Sequence, residues 1–392
     1  MDATLFLELR FPRTPDGSVW TAGGYSYPFW SRYLEVFARL TVVARVLDVP
    51  APEPGWRRVD GDRVSVAGVP HYIGPAQFAR RALAVRRAVH RATEADGAML
   101  LRSGLLSAVA ARVLQAAGRP YAMEVVGDPY DVFAPGAVGH PLRAGFRWGF
   151  TREQQRQCAW AAGALYVTER TLQARYPCPA LMAGVSDVEL GPDALAAVPR
   201  VWPARARRRV VFVGTLGQLY KGPDVLVKAV ARSVRAGLDL GLCVVGDGAY
   251  RQHLEASARR EGLSGRAEFL GELSSGRAVR DQLDRADLFV LPSRTEGMPR
   301  ALIEAMARGL PCIASRVGGI PELLGDDALV PPDDVVALAG LIERVVTDPA
   351  RMAAMSARNL HTARRYAEHV LHARRLAFYE HVREQTRRET AR

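Results

Sequence analysis

The sequence predicts an α/β protein built from two doubly wound, parallel-sheet domains, and two observations predict it. The first is length: 392 residues exceed what one hydrophobic core supports, so two domains of roughly 150 to 200 residues are expected. The second is the alternation after residue 209. There RVVFVG, LGLCVVG, RAEFLG, ADLFVLPS and PCIAS are short apolar runs separated by amphipathic segments of helix length. Several of these runs end in Gly or Ser, at the carboxyl ends where ligands bind in such sheets.

In the first half, TLFLELR, LTVVARVLDV, GAMLLRS, YAMEVVGD and GALYVTE read as strands, with a helix over 75–95 among them. The expected domains are 1–195 and 205–365, joined by the Pro-, Ala- and Arg-rich stretch 191–209. A C-terminal helix at about 370–392 is expected to pack back on the first domain.

Composition narrows the class. With 48% apolar and 24% charged residues the chain is globular, not disordered or fibrous. The net charge of +12 comes from 53 basic against 41 acidic side chains, and Lys221 and Lys228 are the only lysines. A solvated Arg-rich surface accounts for that charge; the functional alternative is attraction to anionic lipid or a phosphorylated ligand. No nucleic-acid-binding motif accompanies it, so no nucleic acid partner is expected. Cys158, Cys178, Cys243 and Cys312 lie far apart and read as buried thiols of a reducing compartment. The start, MDATLFLELRFP, reads as a strand and not a signal peptide, and no run approaches the ~18 apolar residues of a membrane span. A cytoplasmic protein is expected.

Two segments carry candidate chemistry. In VGTLGQLYKGPDVLVKA a strand ends at Gly214 and Lys221-Gly222 opens a helix. Glycine admits a phosphate close to the backbone, a helix N-terminus favours negative charge, and lysine adds a full positive charge. In LPSRTEGMPRALIEAMARGLPCIASRVGGIPELL the spacing predicts a helix over 299–308, with Pro299 in its first turn and Gly309 at its end. Glu296 then lies on the strand-to-helix loop and Glu304 on the helix. Carboxylates accept hydrogen bonds from the paired hydroxyls of sugars and ribose; the plainer alternative is a capping Glu296 and a surface Glu304.

These segments resemble glycosyltransferase family 4, a group of retaining enzymes. The likeness covers about 150 residues, 209–360, and rests on five features in order: Lys221-Gly222, Gly246-Asp247-Gly248, the pair Glu296 and Glu304 with Gly297-Met298-Pro299 after the first, Gly318-Gly319, and Pro321-Glu322. The resemblance implies the GT-B fold, two Rossmann-like doubly wound domains facing a central cleft. It implies that Lys221 contacts the donor diphosphate, Glu296 the transferred sugar and Glu304 the ribose. Gly214, Thr215, Gly222 and Pro299 would belong to the donor site, with backbone N–H groups of Gly297 and Met298 near sugar and phosphate and the backbone around Leu270 near the base.

The chain also departs from the family. Thr215 stands where many relatives carry arginine, and Arg294 and Arg300 are the candidates to replace that charge. Gly127-Asp128 stands where many carry histidine, so Asp128 reads either as a contact to a sugar or acceptor hydroxyl or as an Asp-Pro turn. Gly23-Gly24 resembles the family's glycine-rich loop facing acceptor or phosphate, against a plain hairpin.

The resemblance further implies front-face transfer with retention from a UDP- or GDP-sugar to a hydroxyl of a glycan, lipid-linked or small-molecule acceptor, in bacterial glycan, glycolipid or natural-product biosynthesis. No cofactor and no metal are expected, since Asp60-Gly61-Asp62 reads as a polar turn. Two other readings stand beside it: a non-catalytic sugar-nucleotide-binding or scaffold subunit, and a nucleotide-sugar epimerase of the same fold. Finally, over 76–92 Phe78, Ala82, Val85 and Val89 form one face and Arg80, Arg87 and Arg91 another. This basic amphipathic helix suggests peripheral contact with an anionic membrane at its inner face, against an ordinary surface helix.

Overall fold

A computed structural model describes residues 1–133, 140–203, 207–274 and 276–390. In chain order its strands are β1 (Ala3–Arg13), β2 (Trp20–Thr21), β3 (Leu40–Asp48), β4 (Arg57–Arg58), β5 (Val64–Pro70), β6 (Ala98–Arg102), β7 (Ala122–Val125), β8 (Gly163–Tyr166), β9 (Leu181–Gly184), β10 (Arg208–Val213), β11 (Leu240–Val245), β12 (Ala267–Phe269), β13 (Leu288–Leu291), β14 (Cys312–Ser315) and β15 (Leu329–Val330). They form a seven-stranded sheet in the order β5-β3-β1-β6-β7-β8-β9, a six-stranded sheet in the order β12-β11-β10-β13-β14-β15, and a small antiparallel ladder of β2 with β4. Both large sheets are parallel. In each, the chain winds outward from the first strand, returns past it and winds the other way. The reversals fall between β1 and β6 and between β10 and β13, and ligand crevices of such sheets open at these points.

The apolar runs are continuous because helices cover both sheet faces, which removes the alternation of a half-exposed strand. Along β11 every residue is buried, as along β13 and β14. The strands the sequence hides are the marginal ones. β5 carries Gly68 and Pro70 on a sheet edge, the place a proline-bearing strand tolerates, while β9 is four half-exposed residues and β15 only two. All four cysteines are buried free thiols. Burial lifts the Cys158 thiol to about 12, which suppresses its thiolate chemistry.

The halves are joined in three ways. The stretch 191–209, of which 204–206 lies outside the described residues, is tied to the second half: Arg200 donates through Nε to the Arg308 carbonyl at 2.7 Å and pairs with Asp284. The C-terminal helix Glu368–Thr390 crosses back onto β8 and β9, and its Tyr379 hydroxyl donates to Glu124 at 2.8 Å; residues 391–392 are outside the described residues. Third, the Glu322 carboxylate reaches across to the helix Thr171–Arg175. It accepts hydrogen bonds from the backbone N–H groups of Glu169 (2.7 Å), Arg170 (3.1 Å) and Thr171 (2.6 Å) and from the Thr171 hydroxyl. A carboxylate on a helix N-terminus satisfies donors the helix cannot and complements its dipole.

Candidate active site

The loops that follow β10 and β13 are brought together by one glycine. Gly222 adopts φ +69°, and a Cβ there would lie 2.0 Å from the Pro292 carbonyl oxygen. Only glycine allows both the left-handed turn and that approach. The turn Leu219–Lys221 is thereby pressed against the loop after β13, where Arg294 fastens it: its N–H donates to the Tyr220 carbonyl at 2.7 Å, and its guanidinium grips Asp224 at 3.0 and 2.8 Å and pairs with Asp333. Lys221 Nζ then donates to Glu296 Oε1 at 2.8 Å, and the Ser293 hydroxyl donates to the same oxygen at 2.8 Å.

Two more glycines hold Glu296 from the other side. A Cβ on Gly318 (φ +52°) would lie 1.8 Å from the Glu296 carbonyl, and Gly319 N–H donates to the Gly297 carbonyl at 2.8 Å. Lys221 and Glu296 thus meet, ordered and mostly buried, at the switch point of the second sheet.

A cavity of about 530 Å³ opens between the halves. The second half contributes Glu296, Gly297, Met298, Arg300, Glu304 and Arg280 to its wall, and the first half Gly24, Tyr25, Phe29, Arg102, Asp187 and Glu189. Glu304, on the helix Arg300–Ala307, accepts no hydrogen bond from any described residue. Burial pushes its carboxyl above the ordinary range, and Arg300 offsets this only in part. An acceptor group with no partner, facing a cavity, is open to hydroxyl donors of a ligand.

The remaining predicted residues separate into those at the cavity and those elsewhere. Gly24 lines it with Tyr25 and Phe29, whereas Gly23 lies behind, its N–H on the Thr21 hydroxyl at 3.0 Å. Gly214 lies under the Lys221 side chain. Pro299 precedes the helix as its N-cap, with extended ψ of 109°, and not in its first turn. Leu270 is half-buried beyond β12 and its N–H donates to the Val244 carbonyl at 3.0 Å. Thr215 is exposed and its hydroxyl closes a turn by accepting from Gly217 N–H at 3.1 Å. Arg294 is held by Asp224 and Asp333, so of these two candidates it is Arg300 that lines the cavity.

Asp128 corrects the expectation of a hydroxyl-binding acid. It is 3% exposed and caps the short helix Pro129–Val132, accepting from Tyr130 N–H at 3.0 Å, from the Tyr176 hydroxyl and from Arg175. The Asp-Pro turn wins because both carboxylate oxygens are already engaged within the first half, Oδ1 by Tyr130 and Tyr176 and Oδ2 by Arg175. Asp60 likewise serves its turn, accepting from Val19 N–H at 2.9 Å and pairing with Arg58.

Sequence reasoning missed Arg102, Asp187, Glu189 and Arg280. Arg102 left a signal: a charge closing the apolar run AMLLR at its carboxyl end, beside the first sheet's switch point. Asp187 left none.

Fold and site together define a two-domain enzyme whose facing sheets present an ammonium–carboxylate pair to a shared cleft. Comparison with known proteins gives the class a family. Residues 207–348 match the family described as Glycosyl transferases group 1. The 2-deoxystreptamine glucosyltransferase of Streptomyces kanamyceticus is 31% identical over 300 residues, 71% of this chain and 74% of that protein. Protein CapJ of Staphylococcus aureus is 27% identical over 327 residues, 82% of this chain and 81% of that one. Anabaena HepE, solved in complex with UDP, shares the fold with a TM-score of 0.62 at 17% identity, over 100% of this chain and 99% of its own. The chain belongs to the group 1 glycosyl transferases and has the GT-B fold.

Proposed function

We propose that this chain is a retaining, metal-independent glycosyltransferase of family 4, transferring a sugar from a UDP- or GDP-sugar to an acceptor hydroxyl. The observation that carries the reading is the Lys221–Glu296 contact of 2.8 Å at the switch point, beside an unpartnered Glu304. When a donor enters, its diphosphate takes the charge of Lys221, Glu296 receives hydroxyls of the sugar, and Glu304 receives the ribose diol. Charge develops on the departing diphosphate; Lys221, held by Glu296, and Arg300, at the cavity wall, are the cations placed to meet it, with the N–H groups of Gly297 and Met298 beside them. Preorganised donors of this kind contribute ~3 kcal/mol each. Cationic side chains at the cavity can supply the charge that a metal supplies in other transferases, which is the support for metal independence. The leaving phosphate takes the acceptor's proton, so no separate base is required.

The name of the Streptomyces relative supplies one acceptor candidate, 2-deoxystreptamine. The test is a thermal-shift screen with UDP, GDP, UDP-glucose and GDP-mannose, followed by transfer to 2-deoxystreptamine and methyl α-D-glucopyranoside, with NMR reading the product's anomeric configuration in the presence of EDTA. An inverted product overturns retention; loss of turnover with EDTA overturns metal independence; no nucleotide binding overturns the donor site; nucleotide binding without hydrolysis or transfer favours the non-catalytic reading.

A peripheral contact with anionic membrane at its inner face is part of this proposal. The helix Gly74–Thr93 bears five arginines, Arg80, Arg81, Arg86, Arg87 and Arg91, and no acid, with Leu83 70% exposed among them and Val85 and Val89 buried. Each basic residue at such a surface contributes ~1 kcal/mol. No helix among the described residues is long and apolar enough to cross a membrane. Equal sedimentation with neutral and phosphatidylglycerol-rich liposomes removes the membrane contact.

A further inference from the structure

The wall of the cleft contributed by the first half is built as carefully as the donor side, and nothing above gives it a role. Arg102 ends β6 at the switch point of the first sheet and is 8% exposed. Its Nη1 donates to Glu124 Oε2 at 2.8 Å and its Nη2 to Asp187 Oδ2. Glu124, 1% exposed, also accepts from the hydroxyls of Tyr33 (2.9 Å) and Tyr379 (2.8 Å). The loop carrying Asp187 is held separately, because Arg375 of the C-terminal helix donates to the Ser186 carbonyl at 3.1 Å.

This chain of contacts ends at one free atom. Asp187 Oδ1 engages no described residue, while its side chain is 28% exposed and lines the cavity. Burial alone would raise the Asp187 carboxyl, but Arg102, Arg32 and Arg375 outweigh it and hold it below the ordinary range. The group is therefore a fixed anion that accepts hydrogen bonds and does not take a proton. Neighbouring Glu189 contrasts with it: its side chain is 74% exposed and meets Arg32 at the rim.

We propose that Asp187 is the acceptor-positioning residue: its Oδ1 receives a hydrogen bond from a hydroxyl of the acceptor, and Arg102 and Glu124 are positioning residues that aim it. This rests on the transferase reading given above. In the transfer, the acceptor oxygen bonds to the anomeric carbon as the bond from that carbon to the diphosphate breaks, and the attacking hydroxyl's proton passes to the departing phosphate oxygen. Asp187 holds a neighbouring hydroxyl of the acceptor, so the attacking one lies on the donor's face. In donor hydrolysis water takes the acceptor's place, giving one proton to the phosphate and directing the other at Asp187. The acceptor class this selects is a polyol or sugar with adjacent hydroxyls.

The experiment compares wild type, Asp187→Asn and Asp187→Glu. Calorimetry with UDP and GDP gives nucleotide Kd. Initial rates with UDP-glucose and GDP-mannose are measured with whichever acceptor turns over in the screen above, and with water where none does. The expected result is a kcat at least tenfold lower in both variants with nucleotide Kd and donor KM within twofold of wild type, and an acceptor KM raised in Asp187→Asn. Asp187→Glu keeps the charge beside Arg102, so a merely structural ion pair tolerates it and a positioning role does not. Unchanged kcat in Asp187→Asn, or full activity in Asp187→Glu, overturns the proposal and leaves the donor site standing. Absence of nucleotide binding by wild type removes the donor site and this inference together.

Discussion

Both walls of the cleft are held by hydrogen-bonded ion pairs, yet one could be anticipated from the sequence and the other could not. On the second half, Lys221 and Glu296 fall within loops whose glycines are dictated by close backbone approach, and Glu304 lies on the helix that follows one of them, so the chemistry travels with a local signature. On the first half, Arg102, Glu124, Asp187 and Tyr379 come from four separated stretches and meet only through the fold. A contact made by loop geometry leaves a motif; a contact made by topology leaves scattered residues. The same split divides the two acids expected to act. Glu296 sits against Lys221, whereas Asp128 holds the first half together from within.

The largest expected effect tests the anticipated wall. Lys221→Ala should lower turnover by 10²- to 10³-fold, about 3 to 4 kcal/mol of transition-state stabilisation, with circular dichroism unchanged; near wild-type initial rates break the comparison at its stronger side. Next, Asp128→Ala removes one partner of a buried ion pair and should cost about 3 kcal/mol of stability, read as a lower urea midpoint. UDP affinity should stay within twofold, and a well-folded Asp128→Ala that cannot turn over returns this residue to the active site.

A smaller effect comes from Glu304. Its folded-state pKa is raised, so the fold favours the protonated form: that stability is full below the unfolded pKa and is lost as pH rises through the folded one. Glu304→Gln should therefore melt higher than wild type at neutral pH, and the difference should vanish below the ordinary carboxylate range. The variant should also bind UDP more weakly, and a Tm difference independent of pH contradicts the sign. Smallest of all, Thr215→Val removes an exposed turn hydroxyl and should change Tm and turnover within error, about 0.5 kcal/mol or less.

Much of the fold was legible because buried parallel strands leave unbroken apolar runs, and all five runs noted after residue 209 are strands in the structure. The strands that escaped, β2, β4, β5, β9 and β15, are edge or fragmentary elements whose pairing is decided by neighbours. Thr215 and Leu270 were placed at the donor site by family likeness alone, and their side chain and amide are engaged in local turns and pairing. Asp187 was illegible for a physical reason: its role depends on an arginine 85 residues away and on a tyrosine of the last helix buttressing that arginine's other partner.

Glu322 gives the molecule a latch. Four hydrogen bonds converge on one side chain that belongs to the half opposite its donors, so widening the cleft on that side strains them together. Either the carboxylate stays seated and the mouth keeps its width, or all four contacts are surrendered at once. The width of the mouth is then tied to a residue that is not among those lining the cavity.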